Sequence, residues 1–170
     1  MSTNDGRWGI KKIAKEVISS LLMLFVISMA INYIRKPEIN ENIYSLELSD
    51  IEGKKIYFDE YKDKPLVVHF WATWCPTCKF EASNIESISN KYNVLTIAVN
   101  SGSNDKIMAY MKENALSYKV ISDSNGALAK KFNISAYPTT LIYNGEGELK
   151  FTEVGYSTTL GLKARLELLK

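Results

Sequence analysis

The segment that most constrains the fold is residues 66–81, LVVHFWATWCPTCKFE. It opens with an apolar run, residues 66–72, interrupted only by His69. A short apolar run of this kind reads as a strand buried on both faces. Beyond Trp74-Cys75-Pro76-Thr77-Cys78 the spacing turns helical. Cys78, Glu81, Ile85, Ile88 and Tyr92 fall at i, i+3, i+7, i+10 and i+14, one stripe facing a core. Cys75 therefore stands where a buried strand gives way to a helix. Pro76 suits the first helical position, because it lacks the N–H that would be unpaired there. The remaining free N–H groups and the helix dipole favour an anion at that end. A thiolate, the reactive form of cysteine, is such an anion.

These are the only two cysteines in 170 residues, and the chain has a single histidine. That leaves no material for a Cys- or His-rich metal site. The pair has three readings: a redox couple, a soft-metal clip, or two buried bystanders. The strand before it and the helix after it favour the redox couple, in which case the cofactor is the Cys75–Cys78 disulfide itself. The 21 basic and 19 acidic residues, net +2, are too balanced for a nucleic-acid partner.

Residues 1–16 form a polar flank carrying Arg7, Lys11, Lys12 and Lys15. Residues 17–34, VISSLLMLFVISMAINYI, contain no charge, and their length is in the lower range for a bilayer span. Arg35 and Lys36 close the run and Pro37 stops any continuing helix. The excess of basic residues before the span places the N-terminus in the cytoplasm. The expected arrangement is a single-pass anchor in the cytoplasmic membrane, with the following domain facing the periplasm or the cell exterior. Ser28-Met29-Ala30 would serve as a signal-peptidase site, but the apolar run continues through Ile31 and Ile34, and Tyr33 suits the membrane interface. A linker, residues 35–42, leads to one domain over residues 43–170.

Within that domain residues 43–48 alternate as a half-buried strand should, and residues 55–58 read as its return. Strands are expected at 66–72, 94–99, 118–121, 139–143 and 150–154, with helices after Cys75 and at 104–114, 127–132 and 158–169. Strands alternating with helices imply parallel pairing with right-handed crossovers. The terminal hairpin, turning at Asn144-Gly145-Glu146-Gly147, adds an antiparallel edge. The fold class is α/β: a mixed sheet flanked by helices on both faces.

Exchange needs an exposed thiol to attack and a second to resolve the mixed disulfide. Cys75 at the helix mouth suits the first task and Cys78, one turn in, the second. Glu81 shares the core-facing stripe with Cys78. A carboxyl held against apolar surface has its pKa pushed up, which would poise it to accept the Cys78 proton. The alternative is that Glu81 swings out and acts as an ordinary acid near the helix N-terminus. His69 is a proton-transfer candidate or a hydrogen-bonded core residue. Trp71 and Trp74 could wall the sulfurs, and Trp74, beside Cys75, is the better placed to touch substrate together with Pro76 and Thr77. Pro138 begins a strand, as its missing N–H requires.

FWATWCPTCK resembles the thioredoxin active-site segment, and NISAYPTTLIYNGEGEL resembles the cis-proline loop and hairpin of that fold. IEGKKIYFDEYKDK and Glu81 after the cysteines look like the TlpA-like branch. The resemblance covers residues 43–170. It implies a thioredoxin fold with an N-terminal β-hairpin, and a membrane-anchored thiol–disulfide oxidoreductase acting on protein thiols and disulfides. It further implies a membrane thiol protein as electron donor or acceptor, a cis Pro138 packed against the cysteine pair, and Tyr137 flanking the substrate backbone. His69 stands where thioredoxin has a buried Asp, so that proton acceptor is not carried over. Pro76-Thr77 departs from the thioredoxin Gly-Pro, and Ser83 stands where many TlpA-like chains have proline. A dedicated reductant for apocytochrome c, or a copper-binding or redox-inert module, remain alternative readings. Glu81 and the tryptophans disfavour extra negative charge at the pair, so a reductase or isomerase is expected rather than a primary oxidant.

Fractionation of cells should find the full-length chain in the membrane. A soluble form beginning at Ile31 would show that residues 1–30 are a cleaved signal.

Overall fold

The computed structural model describes residues 5–35, 37, 39 and 43–170, with side chains for 12–27, 30, 37, 39 and 43–170. It divides into two compact units between residues 35 and 36. The first is a single helix, α1 (Asp5–Arg35). Of the expected flank, span and linker, residues 1–4, 36, 38 and 40–42 lie outside the described residues, as do the side chains of 5–11, 28, 29 and 31–35. Among the described residues no helix is long and apolar enough to cross a membrane.

The second unit begins differently from expectation. Residues 43–48 do not form one strand. Ile43–Ser45 is a 3-10 turn, closed by the Leu46 N–H on the Ile43 carbonyl at 3.2 Å, and only Leu48–Ser49 (β1) is extended. The reason is tertiary packing. Ile43 is buried, and the Tyr44 ring packs on Phe58 and Tyr143 at 5.6 and 6.4 Å, against the sheet. Likewise the return strand is only Lys55–Ile56 (β2), antiparallel to β1. Phe58–Tyr61 is a second 3-10 turn that buries Phe58 and Tyr61 together, since side chains three apart eclipse in that geometry.

From here the expected order holds. β3 (Leu66–Trp71) leads into α2 (Pro76–Ser89), then β4 (Asn93–Val99), α3 (Asn104–Glu113), β5 (Lys119–Asp123), α4 (Ala127–Lys131), β6 (Thr139–Tyr143), β7 (Leu149–Val154) and α5 (Thr159–Glu167). The five-stranded sheet runs β5-β4-β3-β6-β7, with β3, β4 and β5 parallel and β6 and β7 antiparallel. β3 is central and buried along its whole length, which is why it reads as a continuous apolar run. Its alternate residues serve two cores. Leu66, Val68 and Phe70 face a cluster built from the N-terminal turns, Ala129 of α4 and Phe132. Val67 and Trp71 face the cluster of Ile85 and Ile88 from α2, Ile107 and Met111 from α3, and Leu162 and Leu166 from α5. Burying each such side chain contributes about 1.5–3 kcal/mol, enough to fix where β3 stops and α2 starts.

The hairpin after β6 returns over the entry to β3. The Asp63 N–H donates to the Gly145 carbonyl at 3.0 Å, and a Cβ on Gly145 would meet the Asp63 backbone at 2.7 Å, so only glycine fits. The hairpin thereby pins the lead-in to the strand that delivers the cysteines.

Candidate active site

Cys75 is the N-cap of α2, with extended backbone at φ −84 and ψ 113, and Pro76 follows at the first helical position. The Cys75 N–H donates to the Ala72 carbonyl at 3.2 Å, and the Lys79 N–H to the Cys75 carbonyl at 3.2 Å, so the chain turns from strand to helix within four residues. The Cys78 N–H donates to Cys75 Sγ at 3.2 Å. A free N–H of the helix's first turn is thus aimed at the sulfur, the interaction that favours a thiolate there. Cys75 and Cys78 are disulfide-bonded, with Cα atoms 5.3 Å apart.

Cys75 is only 5% exposed and Cys78 3%, so the attacking sulfur is less open than expected. The cover comes from the loop before β6. The Tyr137–Pro138 peptide is cis, and the Tyr137 carbonyl lies 3.7 Å from Cys75 Sγ. Pro138 directly precedes β6, and its carbonyl accepts from the Gly155 N–H at 2.8 Å. Trp74, Pro76 and Thr77 are exposed around the pair.

Of the two tryptophans, Trp71 lies in the apolar cluster of the cysteines and Trp74, the one better placed to touch substrate, is at the surface. Trp71 is buried between Tyr110 and Tyr118, with ring centroids 5.4 and 6.1 Å away. Trp74 is 57% exposed. Its indole N–H donates to the Asn100 carbonyl at 3.2 Å and its ring meets Tyr137 edge-on at 5.8 Å, which holds it on the surface beside the disulfide. Ser101 anchors the same mouth, accepting from the Thr73 N–H at 3.0 Å. Lys79 points to solvent as its place on α2 requires.

Glu81 is fully buried, so it does not swing out as a solvated acid. One carboxyl oxygen accepts from the Ser157 N–H at 3.0 Å, while the other has no hydrogen-bond partner. Burial pushes its pKa from the ordinary carboxyl value of 4.5 up to about 8, against the opposing pull of the Ser157 hydrogen bonds. The Glu81 carboxyl is therefore mostly protonated at neutral pH. It shares with Cys78 the buried stripe of α2.

His69 sits opposite Thr140 in the β3–β6 register, its Nδ1 2.9 Å from Thr140 Oγ1. Burial pulls its pKa from 6.5 down to about 3. It is a neutral, hydrogen-bonded residue of the core, the arrangement set against proton transfer above.

Sequence reasoning did not reach Ser157, Asn84 or Tyr156. Ser157 is 76 positions from Glu81, and no local pattern marks it. Asn84 lies one turn after Glu81 on α2, and that offset is the one signal that could have singled it out.

Comparisons with known proteins agree with this geometry. The model of the AhpC/TSA family matches residues 39–152. Sporulation thiol-disulfide oxidoreductase A of Bacillus subtilis is 32% identical over 123 residues, 68% of this chain and 74% of that protein. Thiol-disulfide oxidoreductase ResA of Halalkalibacterium halodurans is 27% identical over 163 residues, covering 88% of this chain and 93% of its own. The crystal structure of StoA from Bacillus subtilis superposes with a TM-score of 0.63 at 26% identity, covering 73% of this chain and 98% of that one.

The two buried titrations set a pH signature. A raised folded pKa gives Glu81 a stabilising contribution that is full below about pH 4.5 and is lost as pH rises through about 8. A depressed folded pKa gives His69 a contribution that is full above 6.5 and lost as pH falls toward about 3. The two slopes oppose each other between 4.5 and 6.5, and only the Glu81 slope remains from 6.5 to 8. Urea unfolding of the wild type relative to Glu81→Gln should show stability falling across that upper window by up to about 1.4 kcal/mol per pH unit. A flat difference would mean that Glu81 is ionised throughout.

Proposed function

This chain belongs to the AhpC/TSA family and is a thiol–disulfide oxidoreductase; from that premise we propose that it is a membrane-tethered reductase or isomerase of exported protein disulfides, in which Glu81 carries the proton of Cys78. The observation that carries this reading is the pairing of two features of α2. The first-turn N–H of Cys78 points at Cys75 Sγ, and the buried Glu81 carboxyl lies one turn further on.

In the reduced protein the Cys75 thiolate attacks one sulfur of a substrate disulfide. A Cys75–substrate S–S bond forms, the substrate bond breaks, and the leaving sulfur departs as a thiolate. Cys78 then gives its proton to the ionised fraction of Glu81 and attacks Cys75 Sγ. The mixed disulfide breaks, the second substrate sulfur leaves, and the Cys75–Cys78 disulfide forms. Two electrons have moved from the protein dithiol to the substrate. A carboxyl raised to about 8 is close to the ordinary thiol value of about 8.5. The proton can then pass between Cys78 and Glu81 with little free-energy cost, in either direction of the reaction. A membrane thiol protein would return the electrons.

The exposed Trp74, Pro76 and Thr77 and the half-buried Tyr137 surround the sulfurs and offer a surface for the substrate segment. Burial of Glu81 and Trp71 near the pair disfavours a second negative charge, which supports reduction or isomerisation over primary oxidation. The tether is residues 17–34. Support comes from their uncharged sequence and from the large apolar side chains of 17–27, which are between 41% and 66% exposed along α1. A helix apolar all round suits a bilayer rather than water.

Glu81→Gln should leave the fold intact and slow exchange at pH 7 by roughly a hundredfold, the low end for a positioned acid–base group. Cys78→Ala should accumulate mixed disulfides at Cys75 that diagonal gels of cell membranes resolve. Unchanged exchange in Glu81→Gln would remove Glu81 from the mechanism.

A further inference from the structure

The loop between β7 and α5 makes contacts to the site that the exchange steps do not use. The Gly155 N–H donates to the Pro138 carbonyl at 2.8 Å, and Gly155 has a φ of +93, open to glycine and strained for other residues. Two residues on, the Ser157 N–H donates to Glu81 Oε1 at 3.0 Å. The other side of the Ser157 residue is also held: its carbonyl accepts from Asn84 Nδ2 at 2.9 Å. The same amide nitrogen donates to the Tyr156 hydroxyl at 3.0 Å, and the Asn84 Oδ1 accepts from the Thr159 hydroxyl at 2.9 Å. One side chain on α2 thus engages three positions of loop and helix start, Tyr156, Ser157 and, two on, Thr159. The Thr158 hydroxyl accepts from the Gly161 N–H at 3.1 Å and starts α5 directly after the clamp.

The geometry points to Asn84 as a positioning residue for thiol exchange: its amide fastens residues 156–159 to α2, which keeps the Ser157 N–H on Glu81 and water away from the Glu81–Cys78 side of the helix. The chemistry fits the residue type. An amide donates with its nitrogen and accepts with its oxygen at once, and here both functions are used. Serine or alanine is too short to bridge the same partners. The loop otherwise reaches the site through the Gly155 N–H on the Pro138 carbonyl and through Ser157 on the Glu81 carboxyl, so releasing Asn84 lets solvent reach the carboxyl. This inference rests on Glu81 acting in exchange, as proposed above.

The direction follows from the groups that face Glu81. Burial is the largest influence on it and raises its pKa, and the Ser157 hydrogen bonds oppose that. Tyr118, entering β5, is the other titratable group that feels the Glu81 charge, and it in turn lies near Glu86 and Tyr110. Cys78 stands three positions before Glu81 among the buried residues of the same helix. On α5, Arg165 is engaged by Glu153 of β7 at 2.6 Å. None of these changes when Asn84 is shortened. Opening the loop removes burial and the Ser157 bond together. Because burial is the larger of the two, Glu81 moves toward an ordinary carboxyl.

The test uses the full chain in detergent micelles, reduced, with a disulfide-bonded peptide as substrate. Wild type, Asn84→Ala, Asn84→Ser, Glu81→Gln and the Asn84→Ala/Glu81→Gln double variant are compared by exchange rate against pH and by amide hydrogen exchange over residues 155–159. Asn84→Ala should raise amide exchange there at least tenfold and move the inflection near pH 8 down by one unit or more. Asn84→Ser should do the same in smaller degree, and stands in if the alanine variant does not fold. The double variant should match Glu81→Gln in its pH profile. Loosened amides with an unmoved inflection would make Asn84 structural only and overturn the inference, as would unchanged amides. If Glu81→Gln alone leaves the profile of the wild type intact, the Glu81 mechanism fails, and the amide measurement then judges the clamp separately.

Discussion

A carboxyl group without access to water lies one helical turn beyond Cys78, and the surrounding structure is arranged to keep it there. Glu81 has one oxygen on the Ser157 N–H and the other without a partner. An unpaired buried charge would cost several kcal/mol, so the carboxyl stays protonated at neutral pH. The groups that reach it come from elements far apart in sequence: Ser157 in the loop after β7, and Tyr118 at the entry to β5. The carboxyl is retained on a stripe where an apolar side chain would pack at no such cost. That makes sense where a proton must be taken from a neighbouring thiol and returned to it.

The disulfide is framed by three segments that the central strand brings to one end of the sheet. β3 ends at Trp71 and hands over to the N-terminus of α2. β4, parallel to it, delivers Asn100 and Ser101, which hold Trp74 and Thr73. β6, antiparallel on the other side, is preceded by Tyr137 and the cis Pro138, whose carbonyls reach Cys75 Sγ and Gly155 respectively. The carboxyl ends of parallel strands are where open α/β sheets place their sites, and this one follows suit. The same loop residues thus connect the sulfur side of the site to the Glu81 side.

Much of this was legible in the sequence where a pattern is local. The two-faced burial of β3, the start of α2 at Pro76, and the stripe carrying Cys78 and Glu81 all follow from short-range spacing. The N-terminal strands were misread because alternation over residues 43–48 is weak evidence against tertiary packing. Ile43 and Tyr44 gain more from docking on the sheet through a 3-10 turn than from pairing. Adjacency to Cys75 marks Trp74 as the tryptophan placed to touch substrate, but the bond to Asn100 that holds its ring at the surface lies 26 positions away. Cys75 proved more covered than a nucleophile needs to be, since the Tyr137 loop closes over it from 62 residues away. His69 shows the limit from the other side. Its partner Thr140 is fixed by the β3–β6 register, which the sequence does not specify.

The protonation state of Glu81 is the claim on which the proton path depends, and infrared difference spectroscopy of the full-length protein reads it directly. Spectra of wild type minus Glu81→Gln, recorded from pH 5 to 9.5, should contain the C=O stretch of a protonated carboxylic acid at pH 7. That band should give way to carboxylate with a midpoint near the value of about 8 set by burial. A carboxylate band already complete at pH 6 would show an ordinary, ionised acid and contradict the assignment of Glu81 as the partner of Cys78.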